Sequence, residues 1–246
     1  MKKDIIMKQI INGIIGVALL SSLAWSCTKA DNFPAPNATF EGNIIDSITG
    51  KNLVTETGGV QIELKQLSWS DNPDPYYIPS KPDGTYEDTR IYSGHYSVIP
   101  TQGAFWPVDS IVTDINGTTQ RDFKVIPYLE ITNVTHVQNA DSLTMTFQLQ
   151  APITTGLPQI LDATLFVNNT PFVGSGAFIQ DFYNQSSATV HINANWSTTI
   201  ANTTYSVVVH QLQSGWIYHA RVGVRLNDSY KKYDLSDAVE VDMSPK

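Results

Sequence analysis

From residue 38 onward the chain is written in short alternating runs. Phe40, Gly42 and Ile44 alternate with Glu41 and Asn43, and Val60, Ile62 and Leu64 alternate with Gln61, Glu63 and Lys65. A period of two sends successive side chains to opposite sides of a strand, so each run predicts a strand with one buried face. Turn formers bound the runs. Asp46-Ser47-Ile48-Thr49-Gly50 supplies one turn, and Pro82-Asp83-Gly84-Thr85-Tyr86 a tight corner in which Gly84 is free to take positive φ. Ser93-Gly94 then leads into His95-Tyr96-Ser97-Val98, and Asn116-Gly117 reads as a hairpin returned by Phe123 and Val125. No stretch after Cys27 keeps the apolar spacing of an amphipathic helix, so the pattern predicts an all-β protein.

A second set of runs follows Pro127. Leu129 and Ile131 come first, then Leu143, Met145, Phe147 and Leu149, then Ala163, Leu165 and Val167. Val190, Ile192 and Ala194 follow, then Tyr205, Val207 and Val209, with Ile217 to Leu226 and Ala238 to Val241 closing the set. About seven strands in about 115 residues is the density of an immunoglobulin-like sandwich. The boundaries expected are residues 38–127 for an N-terminal sandwich and 128–246 for a C-terminal one. Residues 27–37, with two prolines and few apolar groups, read as a tether.

The first residues follow another pattern. Lys2, Lys3 and Lys8 precede an apolar run from Ile10 to Leu23, and small residues follow it. A basic start, a short apolar core and a small-residue cleavage point make a secretory signal peptide over residues 1–26. The rival reading is a transmembrane anchor. That takes about 20 strongly apolar residues, and this run is shorter and interrupted by Asn12 and serines. Leu23-Ala24-Trp25-Ser26-Cys27 resembles a lipobox, in which the cysteine thiol receives lipid before cleavage. Cys27 is the single cysteine of the chain, so it has no internal disulfide partner. Acylation accounts for both its solitude and its place, and predicts an outer-membrane lipid anchor with the remainder held in the periplasm or at the cell surface.

Charge narrows the partners. Removing residues 1–26 takes away three lysines and one aspartate and moves the net charge from −8 to −10. An acidic protein is repelled by phosphate backbones, which argues against nucleic acid.

Two local patterns sharpen the fold. Thr49-Gly50, Val60-Gln61-Ile62-Glu63-Leu64, Asp83-Gly84-Thr85-Tyr86 and Gly94-His95-Tyr96-Ser97-Val98 together resemble the carboxypeptidase regulatory-like, transthyretin-like sandwich. Tyr86 and Tyr96 would then fill core between its sheets. Leu212, Gly215 and Tyr218 resemble the tyrosine corner of fibronectin type III domains, with Phe147 where those domains usually hold tryptophan. The fold expected is two consecutive β-sandwiches, transthyretin-like and then fibronectin type III-like. The whole mature chain resembles a two-domain lipoprotein family of unknown function from Bacteroidota. Asp31-Asn32-Phe33, Pro36-Asn37-Ala38-Thr39-Phe40-Glu41-Gly42, Ser70-Asp71-Asn72-Pro73 and Gly215-Trp216-Ile217-Tyr218-His219-Ala220-Arg221 carry that resemblance. It implies a neighbourhood of SusC/SusD-like glycan-uptake proteins as partners.

Enzyme signals are thin. Gly174-Ser175-Gly176 lacks the spacing of a nucleophile elbow and reads as a loop. His95, His136, His191, His210 and His219 are scattered singly, without metal-ligand spacing, and no metal or cofactor is expected. Asp71, Asp74 and Asp83 could form a carboxylate pair for glycoside hydrolysis, but Pro73-Asp74-Pro75 and Pro82-Asp83-Gly84 are ordinary turn chemistry. The suggestive segment is Trp69-Ser70-Asp71-Asn72-Pro73-Asp74-Pro75-Tyr76-Tyr77. Rings beside carboxylate and amide groups can pack on sugar C–H faces while bonding hydroxyls. Trp69, Asp71, Asn72, Asp74, Tyr76 and Tyr77, with Trp106 if the fold brings it near, form the candidate ligand-binding set. Two other readings stand beside it: core packing of Trp69 and Tyr77, and a docking surface for another envelope protein. The function expected is a non-catalytic envelope lipoprotein that binds polysaccharide or oligosaccharide, or supports a SusC/SusD-type complex. The alternatives are a docking module without sugar binding and, third, a glycoside-acting enzyme.

Overall fold

The structure is a computed structural model that describes residues 34–244. The expected signal peptide, Cys27 and nearly all of the expected tether lie outside the described residues. Among the described residues no helix is long and apolar enough to cross a membrane.

The N-terminal sandwich is built on β1 (Ala38–Asp46), whose nine residues alternate strictly between buried and half-buried. β1 pairs antiparallel with β4 (Thr85–Ile91). Its other edge is shared by two short parallel strands, β7 (Thr118–Gln120) and β8 (Phe123–Val125). Where the chain steps from one to the other, the Asp122 carboxylate accepts the Asn43 backbone N–H at 2.9 Å and its side-chain amide at 2.8 Å. The second sheet runs β3-β2-β5-β6, with β2 at Gln61–Gln66, β3 at Tyr76–Pro79, β5 at Gly94–Thr101 and β6 at Ile111–Ile115. Between the sheets lie Phe40, Ile44, Ile62, Leu64, Ile78, Val98 and Ile115. Tyr86 and Tyr96 fill this core as expected, at 1% and 4% exposure. The Tyr86 hydroxyl donates to the Arg121 carbonyl at 2.5 Å, over the spot where Gly42 leaves no side chain.

Asn116-Gly117 is not a hairpin. β6 ends in one sheet and β7 begins in the other, so the turn carries the chain across the sandwich. Gly117 still supplies the positive φ, at 57°. The geometry of the turn was readable; the destination of its second arm was not.

The C-terminal sandwich sets a three-stranded sheet, β13-β10-β9, against a five-stranded one. β9 spans Glu130–Asn139, β10 Ser142–Gln150 and β13 Tyr205–Val209. The larger sheet holds β11 (Ile160–Asn168), β12 (Thr189–Ala194), β14 (Ile217–Leu226), β15 (Tyr233–Leu235) and β16 (Val239–Asp242). Leu143, Met145, Phe147, Leu165, Val207 and Val222 are among its fully buried residues. Tyr218 makes the expected corner, its hydroxyl accepting the Gln213 N–H at 3.1 Å. Eight strands form rather than about seven, because the three-residue β15 is too short to carry a period. Short helices at Gln180–Tyr183 and Thr198–Asn202 fill connections.

β11 is buried on both faces. Ala163, Leu165 and Val167 face the sandwich core, while Phe166 heads a separate cluster with Val173 and Leu235. Val54, from the N-terminal sandwich, packs against that second cluster with Phe178, Tyr183 and Tyr233. The outer face of the larger sheet is therefore a junction between the domains.

Candidate functional site

β3 begins inside the aromatic segment, so residues 69–77 are half loop and half strand. The turn before it is held to β5: Ser68 N–H donates to the His95 carbonyl at 3.3 Å, and His95 N–H donates to Ser68 Oγ at 3.2 Å. Pro73 is buried and pins the loop's middle. Tyr76 and Tyr77 then enter the strand opposite Leu64 and Glu63, and the period of two parts them.

Tyr76 faces a cleft of about 370 Å³. Leu64, Ile91 and Tyr96, all nearly inaccessible, make its floor. Trp69, at 66% exposure, Tyr76 and Tyr92 make its walls, and Gln66, Asp74 and Arg90 bring polar groups to the rim. The Tyr76 hydroxyl donates a short hydrogen bond to Asp88 Oδ2, and Asp88 Oδ1 accepts the Arg90 N–H at 2.7 Å. That bond to Asp88, followed by partial burial, holds the Tyr76 phenol above the usual tyrosine range. The Tyr96 hydroxyl donates to the Tyr92 carbonyl at 2.7 Å and fixes the backbone that presents the Tyr92 ring. The rings are thus tethered while their faces stay open. Such rings pack on apolar sugar faces, and carboxylate, amide and guanidinium groups around them can bond hydroxyls.

Of the residues picked from sequence, the structure brings Trp69, Asp74 and Tyr76 together. Asp71 and Asn72 are exposed in the loop beside them, where Asn72 N–H donates to Ser70 Oγ at 3.2 Å. Tyr77 points to the opposite face of the sheet, its hydroxyl donating to Glu63 Oε2 at 3.0 Å. Trp106 does not join the cleft. Its backbone N–H donates to the Ile126 carbonyl at 2.9 Å, and its ring packs edge-on to Tyr128, 5.3 Å between centroids, against the C-terminal core. It belongs to the domain crossing, and among the described residues its buried indole N–H has no hydrogen-bond partner. Phe105 is buried in the N-terminal core, and Trp216 stacks near Tyr218 in the C-terminal sandwich. Sequence reading missed Gln66, Arg90 and Tyr92, which come from the ends of β2 and β4. Their only signal was position next to a turn.

The remaining candidates are dispersed. Asp83 Oδ1 accepts the Thr85 N–H at 3.0 Å and the Thr85 hydroxyl at 2.7 Å, and the hydroxyl bond foremost lowers the Asp83 pKa. It is a turn residue away from Asp74. His95 Nδ1 meets Asp114 Oδ1 at 2.7 Å on the surface. Among the described residues no group of three His, Cys, Asp or Glu side chains is placed to hold a metal ion.

Gly174-Ser175-Gly176 is a loop with a purpose. The Ser175 hydroxyl and the Gly176 N–H, the latter at 3.1 Å, both donate to the Glu56 carboxylate of the N-terminal sandwich. Arg221, at 4% exposure, donates to the Thr55 carbonyl at 2.9 Å. Burial lowers its pKa to about 10, opposed by the nearby Glu56 charge. Beyond this clasp, Glu130 is pushed up to about 7, first by burial and then by Asp46. Asp234, buried at 6% exposure and accepting the Leu129 N–H at 3.2 Å, is raised well above its ordinary value by burial.

Two adjoining family models cover most of the chain. One, described as the N-terminal domain of a protein of unknown function (DUF3823), matches residues 38–126. The other, described as a domain of unknown function (DUF3823_C), matches residues 129–240. A search of the curated proteins finds no match. Among solved structures, one from Bacteroides uniformis ATCC 8492, described as a putative carbohydrate binding protein, shares 21% identity at a TM-score of 0.71. The match covers 84% of this chain and 99% of that one. A DUF3823 family protein from the same strain shares 22% identity at a TM-score of 0.71, over 85% and 100% of the two chains. Another from Parabacteroides merdae ATCC 43184 shares 19% identity at a TM-score of 0.65, also over 85% and 100%. At these identities the likeness establishes the fold, and with the two family models it places the chain: it belongs to the two-domain DUF3823 family.

Proposed function

We propose that this protein is a non-catalytic, lipid-anchored envelope protein that binds glycan through the cleft walled by Trp69, Tyr76 and Tyr92. The carrying observation is the combination in that cleft of three open ring faces, an apolar floor and a polar rim. The description of one relative as a putative carbohydrate binding protein agrees with this reading. Acylation of Cys27 would hold the two sandwiches at the outer membrane, where a SusC/SusD-type uptake complex is the partner that the family resemblance suggests.

The reading is tested by affinity electrophoresis and calorimetry against soluble neutral and acidic polysaccharides. Trp69→Ala and Tyr92→Ala should each weaken binding about tenfold, roughly 1.4 kcal/mol. No retardation by any polysaccharide, or retardation unchanged in both variants, would sink it. Mass spectrometry of the protein released from its native membrane tests the anchor separately: Cys27 should carry a diacylglyceryl group at a new N-terminus.

A further inference from the structure

Tyr77 lies on the face of the β3-β2-β5-β6 sheet turned away from the first cleft. Its strand neighbour Glu63 pairs on the other side with Ile99. Ile99 borders a second cleft, about 500 Å³, between the two sandwiches. Phe105, Val108, Tyr128 and Pro158 give this cleft apolar surface, and Gln102, Asp228 and Ser229 give it an amide, a carboxylate and a hydroxyl. Tyr230, from the loop between β14 and β15, closes one side.

Both tyrosines are held by their hydroxyls with their faces open. Tyr230 is 50% exposed and Tyr77 38%. The Tyr230 hydroxyl bonds Thr101 Oγ1 at 3.1 Å, and the Tyr77 hydroxyl donates to Glu63 at 3.0 Å. They are near enough that Tyr230 contributes to the raised pKa of Tyr77, behind the dominant bond to Glu63. β3 and β5 flank β2, so the side chains they present are about 10 Å apart, two strand spacings. Tyr230 reaches this sheet through Thr101 of β5, so the two rings flank β2, with Glu63 between Tyr77 and Ile99. The two loops at the cleft are also fixed. Gln102 and Lys231 hold left-handed backbone at φ 58° and 50°, and Lys231 N–H donates to Asp228 at 2.6 Å. A preformed cleft keeps down the ordering cost of binding.

We propose that this interdomain cleft, with the shelf running from Tyr230 to Tyr77, is a second carbohydrate subsite that takes neutral glycan and rejects uronic-acid chains. The ligand class rests on the glycan reading of the first cleft; the location does not. Rejection follows from charge. Asp228, the carboxylate that lines the cleft, can accept hydrogen bonds from sugar hydroxyls and repels a uronate carboxylate, whereas Glu63 on the shelf is already paired with Lys65 at 3.2 Å. Two subsites on opposite faces of one sheet would let a single molecule grip a polysaccharide at two points, or bridge two chains.

The test is a methyl NMR titration of the full mature chain with laminarihexaose, xylohexaose and mannohexaose, and with trigalacturonate as the acidic probe. Ile91 and Leu64 report the first cleft; Ile99 and Val108 report the second. A neutral oligosaccharide should move Ile99 and Val108. Tyr230→Ala should weaken that response at least fivefold while leaving that of Ile91 and Leu64 intact. Tyr230→Phe, which keeps the ring, should retain most of the response. Trigalacturonate should bind the second cleft at least tenfold more weakly. Shifts confined to Ile91 and Leu64 would overturn the second subsite and leave the first. Shifts confined to Ile99 and Val108 would support the subsite and overturn the first cleft as the glycan site. Shifts nowhere would overturn both, and equal binding of trigalacturonate would overturn the ligand class.

Discussion

Tyr76 and Tyr77 are adjacent in the chain, yet each hydroxyl is held by a different carboxylate on a different face of one sheet, Asp88 for the first and Glu63 for the second. The cause is the strand's period of two. One aromatic segment therefore serves two surfaces, and substitutions at these neighbours should separate.

Tyr76→Phe keeps the ring in the first cleft and removes the donor to Asp88. Tyr76 is 50% exposed, so water replaces much of the lost bond, and stability should fall by about 1 kcal/mol or less. Glycan affinity at the first cleft should fall severalfold, because ring and carboxylate no longer share a fixed geometry. Calorimetry on the variant beside a thermal scan checks both. Equal losses in Tyr77→Phe at the same cleft would contradict the division of faces.

Gly42→Ala tests the N-terminal core. A methyl group there would collide with the Arg121 carbonyl and stand 2.9 Å from the Tyr86 hydroxyl. The backbone carbonyl cannot retreat while Arg121 N–H donates to the Glu41 carbonyl at 2.9 Å. A loss of about 1–3 kcal/mol or more is expected, as for overpacked cores. Urea unfolding should show a lower midpoint with the slope unchanged.

The residues that could be read from sequence are those whose environment is set by their own strand. β1, β2 and β5 declared themselves by alternation, and Tyr86, Tyr96 and Tyr218 by their distance from a glycine corner. What stayed hidden depends on distant chain. Tyr76-Tyr77-Ile78-Pro79 is short and ends in proline, so it looked like loop until β2 supplied a partner. By sequence Trp106 groups with the ligand-binding set, because nothing local says that residues 126–128 cross beside it. β11 was read as one-faced, since alternation cannot announce that Val54 and Phe178 will cover the other side. Arg90 and Tyr92 reach the cleft only because β4 and β5 meet there. Half of the site was written in one segment, and half in the fold.

Glu56→Ala tests the domain clasp. It removes the acceptor of Ser175 and Gly176 and leaves the buried Arg221 guanidinium with Asp237 as its remaining acidic neighbour. Leaving these partly buried donors without their acceptor costs about 1–3 kcal/mol. Trp69 reports the N-terminal sandwich and Trp196 the C-terminal one. Single-tryptophan variants retaining one or the other should unfold together in the parent background and at separate denaturant concentrations once Glu56 is replaced. Coincident transitions at an unchanged midpoint would show that the clasp contributes nothing.

Stability should fall as pH rises from about 4.5 to 7. The folded Glu130 carboxyl holds its proton up to about pH 7, against 4.5 for the free group, because it is partly buried and faces Asp46. Asp234 is shifted the same way, first by burial, with Glu130, Asp228 and Asp46 as its acidic neighbours. Across that window the folded chain binds more protons than the unfolded one, so raising pH draws the equilibrium toward unfolding. The contribution is fully present below the unfolded value and is lost as pH passes through the folded one. Asp83 works in the opposite sense, since its folded pKa is lowered below 3.8, but its stabilisation fails only in stronger acid, beneath the window. A melting curve taken in matched buffers should therefore peak near pH 4.5 to 5 and drop toward pH 7.5. Glu130→Gln keeps the shape of the protonated side chain without its titration, and should flatten that drop. A parent melting temperature that stays level or climbs between pH 5 and 7.5, or an equally steep drop in the variant, would mean that Glu130 carries its charge in the folded protein as it does in water.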